Sequence, residues 1–148
     1  MAVAIRPAAP GDRAAWGALY QGYQRFYRRD PDQAFYDTAF ARLMARDPRD
    51  FHGLVAEDDG RLLGLAHFVF HPSLWRPEGA CYLQDLFTAE EVRGRGVGRA
   101  LIAAVYAAAD AAGVPWVYWL TAETNLPARA LYDKVAEGSN LIRYNRPV

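Results

Sequence analysis

The sequence predicts an α/β fold, a mixed sheet flanked by helices, and three observations carry that prediction. Short apolar or β-branched runs bounded by turn residues interleave with longer stretches whose apolar residues recur every three or four positions. The second half sets a glycine-rich turn between a strand and a helix and then returns to a buried strand, a β-α-β arrangement. The 148 residues contain no internal repeat, low-complexity tract or linker, so one domain spanning 1–148 is expected.

The elements follow in order. Val3 to Arg6 is a short strand ended by Pro7, and Asp12 after Pro10-Gly11 is a candidate helix N-cap. Trp16, Leu19, Tyr20, Tyr23, Phe26 and Tyr27 then place an aromatic stripe on one helical face until Asp30-Pro31. A second helix is expected over 32–45, using Phe35, Tyr36, Phe40, Leu43 and Met44. Residues 53–57 and 61–70 read as strands joined by Asp58-Asp59-Gly60, a strong hairpin signal. His71 to Gly79 holds two prolines and reads as a loop; Ala80 to Thr88 is expected to be the central strand. Val97, Leu101, Val105 and Ala109 mark a helix ending near Gly113, followed by a strand over 114–120, a short helix over 126–134 and a last strand over 141–144. The predicted order is β-α-α-β-β-β-α-β-α-β.

Composition excludes several classes. Seventeen Lys and Arg balance seventeen Asp and Glu, so there is no overall positive field for nucleic acid or anionic lipid. One cysteine, Cys81, allows neither an internal disulfide nor a Cys-rich metal centre. No apolar run reaches the roughly 20 residues of a membrane-spanning helix, and the first residues lack the pattern of a signal peptide. A cytoplasmic protein without nucleic-acid or membrane partners and without a metal is the expectation.

The most informative segment is Arg93-Gly94-Arg95-Gly96-Val97-Gly98, between a strand and a helix. Glycines let consecutive N–H groups converge on an anion, and the helix N-terminus adds partial positive charge, an arrangement that suits a pyrophosphate. Arg93, Arg95 and Arg99 add charge-assisted donors. A P-loop is excluded because Arg99 and Ala100 follow Gly98, and the dinucleotide fingerprint fails because its last glycine falls on Arg99 or Leu101. A glycine cluster that only turns the chain is the alternative.

The segment matches the Q/R-x-x-G-x-G/A signature, and here the sequence resembles the GNAT superfamily of acyl-CoA-dependent N-acyltransferases. Ile5-Arg6-Pro7-Ala8 with Asp12, Tyr82 to Phe87, Asn125 and Ala130-Leu131-Tyr132 extend the likeness over nearly the whole chain. It is nearest to the spermidine/spermine enzymes and to the yeast-type histone, polyamine and D-amino-acid acetyltransferases. The resemblance implies a mostly antiparallel sheet whose fourth and fifth strands splay apart. It implies acetyl-CoA as cosubstrate, held by Leu86, Phe87 and Thr88, by the backbone of Arg93, Gly94, Arg95, Gly96, Val97, Gly98 and Arg99, and by Asn125 and Tyr132. A homodimer is compatible with it.

Acetyl transfer to an amine requires a neutral nitrogen, a polarised thioester carbonyl and a proton for the thiolate. The resemblance makes Tyr132 the general acid. It departs at the general base: Gln84 stands where the spermidine/spermine enzymes have Glu, and an amide does not take up a proton. A water relay through Gln84 ranks first. Asp85 would point to the opposite face by strand alternation, and Glu123 and His71 are the other candidates. For the amine, Tyr27, Tyr36, Trp75 and Gln84 are the candidate contacts, with Tyr20 and Tyr23 beside them, although an aromatic stripe at helical spacing also suits a core. The activity read from this is N-acetylation of a primary amine in a small molecule or peptide: a polyamine, an amino acid or a lysine side chain. The alternatives are a CoA-binding module without catalysis and a nucleotide-binding regulator.

Overall fold

Asp59 and Gly60 are both at positive φ, +48° and +77°, and this turn closes the hairpin that organises the sheet. The computed structural model describes residues 2–148. Five strands, β1 (Ala4–Pro7), β2 (His52–Asp58), β3 (Arg61–His71), β4 (Ala80–Thr88) and β5 (Val117–Tyr118), lie side by side in chain order. The first four are antiparallel, and β5 joins β4 in parallel. Four helices flank them: α1 (Arg13–Phe26), α2 (Gln33–Met44), α3 (Val97–Ala111) and α4 (Leu126–Val135). The expected mixed, mostly antiparallel sheet with splayed strands is therefore the observed architecture.

Two apolar layers sandwich the sheet. Trp16, Tyr20, Tyr36, Phe40 and Leu43 of α1 and α2 cover one face over Val55, Leu62 and Leu65. Val97, Leu101, Ile102, Val105 and Ala109 of α3 cover the other over Leu63, Phe68 and Leu83. The 3.6-residue spacing of those side chains selects helices, and their burial fixes the helices to the sheet.

The structure corrects the sequence reading at four places. Asp12 sits at the N-cap position of α1, but its carboxylate turns back to accept from Ala9 N–H at 2.7 Å and from Arg6. Strand β4 is second from the edge, and β3 is central. The strand expected over 114–120 is reduced to Val117–Tyr118. Pro115 has no N–H to donate, and Trp119 turns away to pack against Tyr106 and Tyr132 at 6.3 and 5.4 Å between ring centroids. No strand forms over 141–144: Leu141 and Tyr144 are 80% and 88% exposed, and the segment pairs with none of the five strands.

Candidate active site

The decisive backbone feature is where β5 stops. It pairs with β4 only at Cys81–Val117 and Tyr82–Tyr118, while β4 continues to Thr88, so the β4 edge over 83–88 has no strand partner on that side. Leu86, Phe87 and Thr88 line this open edge. Leu86 packs with the α3 layer and Phe87 with the α1–α2 layer, so strand alternation connects both faces through the opening.

At the far end of that edge lies the glycine turn. Gly94 and Gly96 are at φ +80° and +84°, and a Cβ at either would meet nothing within 4 Å. Backbone conformation, not space, calls for glycine there. The N–H groups of Arg93 and Arg95 are spent in turn bonds to Glu90 and Val92, both 3.3 Å, which removes them from the expected donor set. Those of Gly94 and Gly96 find no backbone acceptor among the described residues, and α3 begins without a side-chain cap or an acidic residue in its first turn. The first-turn donors of Val97, Gly98 and Arg99 join them. Arg93 lies over the Phe87 ring at 5.5 Å, and Gly98 abuts Thr88 and Leu131, which ties the turn to the open edge. Asn125 precedes α4 and donates to Thr121 Oγ1 at 3.2 Å. Tyr132 is half-buried on α4; burial, with Tyr27 nearby, pushes its hydroxyl up to about 12.

On the opposite face α1, α2, β3 and β4 enclose a cleft of about 240 Å³. Its floor is a polar network in otherwise apolar strands. His67 and Asp85 are only 4% and 3% exposed. The indole N–H of Trp16, which can only donate, meets His67 Nε2 at 2.9 Å. That bond fixes the tautomer: Nε2 carries the lone pair, and Nδ1–H donates to Asp85 Oδ2 at 2.8 Å. Tyr20 donates to the same oxygen at 2.8 Å. Burial pushes the Asp85 carboxyl up, but hydrogen bonds from His67, Tyr20 and Tyr23 outweigh it and hold it below the usual carboxylate range.

A β-bulge brings Gln84 into this network. His67 pairs with Asp85 and Phe68 with Leu83, so Gln84 has no partner on β3. Gln84 is exposed and Asp85 buried, as alternation predicts, yet Gln84 Nε2 lies 3.3 Å from Asp85 Oδ2. Gln84 and Asp85 therefore touch, although alternation sends them to opposite faces. The sequence carried one signal for this network: a single ionisable residue in the middle of each of two adjacent apolar strands.

Other expected residues fall outside. Trp75 is 86% exposed on its loop, away from both openings. Tyr36 is core, packed edge-on to Tyr20 and Phe35, with a hydroxyl that finds no partner. His71 is held by Pro72 O and the Tyr118 hydroxyl, each at 2.8 Å, and Glu123 is exposed. Tyr27, just past the end of α1, tilts against Tyr23 at 5.0 Å between ring centroids and lies near Tyr132.

The acetyltransferase (GNAT) family model matches residues 16–136. The chain belongs to this family. The acetyltransferase is 34% identical to the D-amino-acid N-acetyltransferase HPA3 of Saccharomyces cerevisiae over 97% of this chain and 90% of that one. Its fold matches a transcriptional regulator from Bacillus halodurans C-125, with a TM-score of 0.86 at 19% identity over 99% of this chain and all of that one. It also matches AAC(6')-Iy in complex with the bisubstrate analogue CoA-S-monomethyl-acetylneamine, with a TM-score of 0.83 at 20% identity over 100% and 99% of the two chains. The acetyltransferase thus shares the family's fold.

Proposed function

We propose that this acetyltransferase moves the acetyl group of acetyl-CoA to a primary amine by direct attack in a ternary complex. The observation that carries the reading is the unpartnered β4 edge, which runs from the uncapped start of α3 to the Asp85 cluster. The free donors of Gly94, Gly96, Val97, Gly98 and Arg99 fit a diphosphate, and the open edge at Leu86, Phe87 and Thr88 fits an amide-bearing arm. Arg93, Arg95 and Arg99 supply charge at the mouth, and Asn125 borders the same side. When bound, the cosubstrate supplies a thioester whose C–S bond breaks as the new C–N bond forms.

The remaining work belongs to the chain. A protonated amine must lose a proton before it attacks; Asp85 on the cleft floor draws the cation in, and a water at Gln84 carries the proton away. Gln84 orients the amine or an intervening water against that carboxylate. His67, locked by Trp16, holds Asp85 in place as a positioning residue. Tyr132, still protonated at neutral pH, is the proton donor for the departing thiolate. Gln84 in place of an acidic residue would suit a CoA-binding module without catalysis, and the carboxylate 3.3 Å away weighs against that alternative. The test joins two measurements: free CoA should raise Tm, and acetyl-CoA should release thiol with at least one of spermidine, leucine or a lysine peptide. No CoA-induced shift would sink the reading; a shift without thiol release would favour the module.

The acetyltransferase is further proposed to be a cytoplasmic homodimer. Cys81 is a buried free thiol, pushed up to about 11 by burial, which suits a reducing compartment. Trp116, Tyr118 and Leu120 at the β5 edge and Leu141, Ile142 and Tyr144 beyond α4 are exposed apolar side chains that a second copy would cover. Light scattering should give twice the monomer mass, and Ile142→Asp should lower it.

A further inference from the structure

The cleft holding Asp85 carries a second charge that the transferase chemistry leaves unused. Arg29 lines the same cleft, its guanidinium 5.4 Å from the Phe35 ring centroid. It donates from Nη1 to Gln24 Oε1 at 2.7 Å and has no carboxylate within ion-pair distance among the described residues. The other cleft arginine, Arg42, is already engaged by both oxygens of Asp50. Gln24 is buried between Arg29 and Asp85: it accepts from Arg29 one helical turn after Tyr20, whose hydroxyl donates to Asp85.

The placement of Arg29 is built into the end of α1. Arg28 adopts φ +58° as a non-glycine residue, and the N–H groups of Arg28 and Arg29 return to Arg25 O and Gln24 O, both at 2.9 Å. This is the left-handed helix ending usually given to glycine, and here it turns Arg29 back over the cleft.

We infer that Arg29 reads the α-carboxylate of a free amino acid whose amine faces Asp85. The inference rests on the transferase reading and names its acceptor class. A cleft with an ionised carboxylate at one end and an unpaired guanidinium at the other complements a zwitterion. It opposes a polyamine, whose second cation would meet Arg29. Trp16, Tyr20, Phe35, Leu43 and Phe51 leave room between the poles for an apolar side chain. An arginine can offer two parallel N–H donors to a carboxylate, so an amide in its place loses both charge and geometry.

The experiment compares leucine, leucinamide and spermidine, with both enantiomers of the first two, in thiol release and in ligand-detected NMR on the CoA-loaded protein. Leucine should bind and turn over in preference to leucinamide and spermidine. Arg29→Gln should raise the KM for leucine by about ten- to a hundredfold and collapse the leucine-to-leucinamide ratio of kcat/KM. Arg29→Lys should restore part of that ratio. Turnover of leucinamide or spermidine as efficient as that of leucine, or a ratio unmoved by Arg29→Gln, would overturn the inference and leave the transferase reading intact. Absence of thiol release with all three amines would overturn the inference, and the transferase reading would then fall only if the lysine peptide also released none.

Discussion

The glycine turn before α3 and the aromatic cleft under α1 flank the same strand and are built in opposite ways. The turn is contiguous and made of backbone: its donors come from neighbouring residues and its shape from two positive φ angles. The cleft is made of side chains drawn from distant places, with Trp16 and His67 separated by 51 residues and Tyr20 and Asp85 by 65. A backbone device survives changes of its side chains but not of its φ angles. A side-chain network survives small backbone shifts but not the loss of one oxygen. Single substitutions should therefore separate the two regions cleanly.

The largest effect is expected at the network. Asp85→Asn keeps the shape and removes the charge that draws the amine in and steadies its deprotonation, so kcat/KM should fall by about 10²- to 10⁴-fold, measured by thiol release. The CoA-induced rise in Tm should persist, because the turn is untouched. A variant that retained wild-type kcat/KM would leave Asp85 no part in the transfer.

Tyr132→Phe comes next and acts from the α4 side of the cleft. Loss of the phenolic proton should lower kcat about a hundredfold, with CoA affinity changed far less. Since the hydroxyl is raised to about 12, it should impose no alkaline limb on the rate below about pH 10. If rate and affinity fell together, Tyr132 would be acting through packing against Trp119 instead.

The contrast also explains what the sequence could convey. The turn was legible because every atom that defines it lies within a few residues, and its glycines have no other local purpose. Most elements were legible for the same reason, since period and turn chemistry are local signals. Asp85 is less legible: alternation sends it to the face opposite Gln84, as observed, but their contact depends on the bulge at Gln84 and so on the register with β3. Trp75 and Tyr36 have residue types that suit an amine site, but the fold leaves one exposed on its loop and packs the other in the core, which residue type alone does not convey. The strand expected over 141–144 has the right composition, and no edge of this chain receives it.

A smaller effect is expected at the turn. Gly96→Ala has open space for its Cβ, so its cost is conformational, about 1–2 kcal/mol at a φ of +84°. If the turn relaxes to avoid that cost, the donors diverge and the Kd for CoA, read by calorimetry, should rise about tenfold. Leucine affinity should move less. Equal losses for both ligands would mean that turn and cleft are mechanically one unit.

The subtlest separation is by pH. The Asp85 carboxyl lies below its ordinary 3.8 in the folded chain, because hydrogen bonds from His67, Tyr20 and Tyr23 outweigh burial. Between the folded value and 3.8 the unfolded chain binds more protons, so stability rises with pH there. The contribution is complete above the unfolded value and is lost as pH falls through the folded one. Asp85→Asn lacks it, so the stability gap between wild type and variant, from urea unfolding, should be constant near neutrality and shrink on acidification. Gly96→Ala adds and removes no titratable atom, so its gap should hold at every pH. A gap for Asp85→Asn that stayed equally flat would mean that the carboxyl is not held ionised by its neighbours, and the cleft would lose its negative pole.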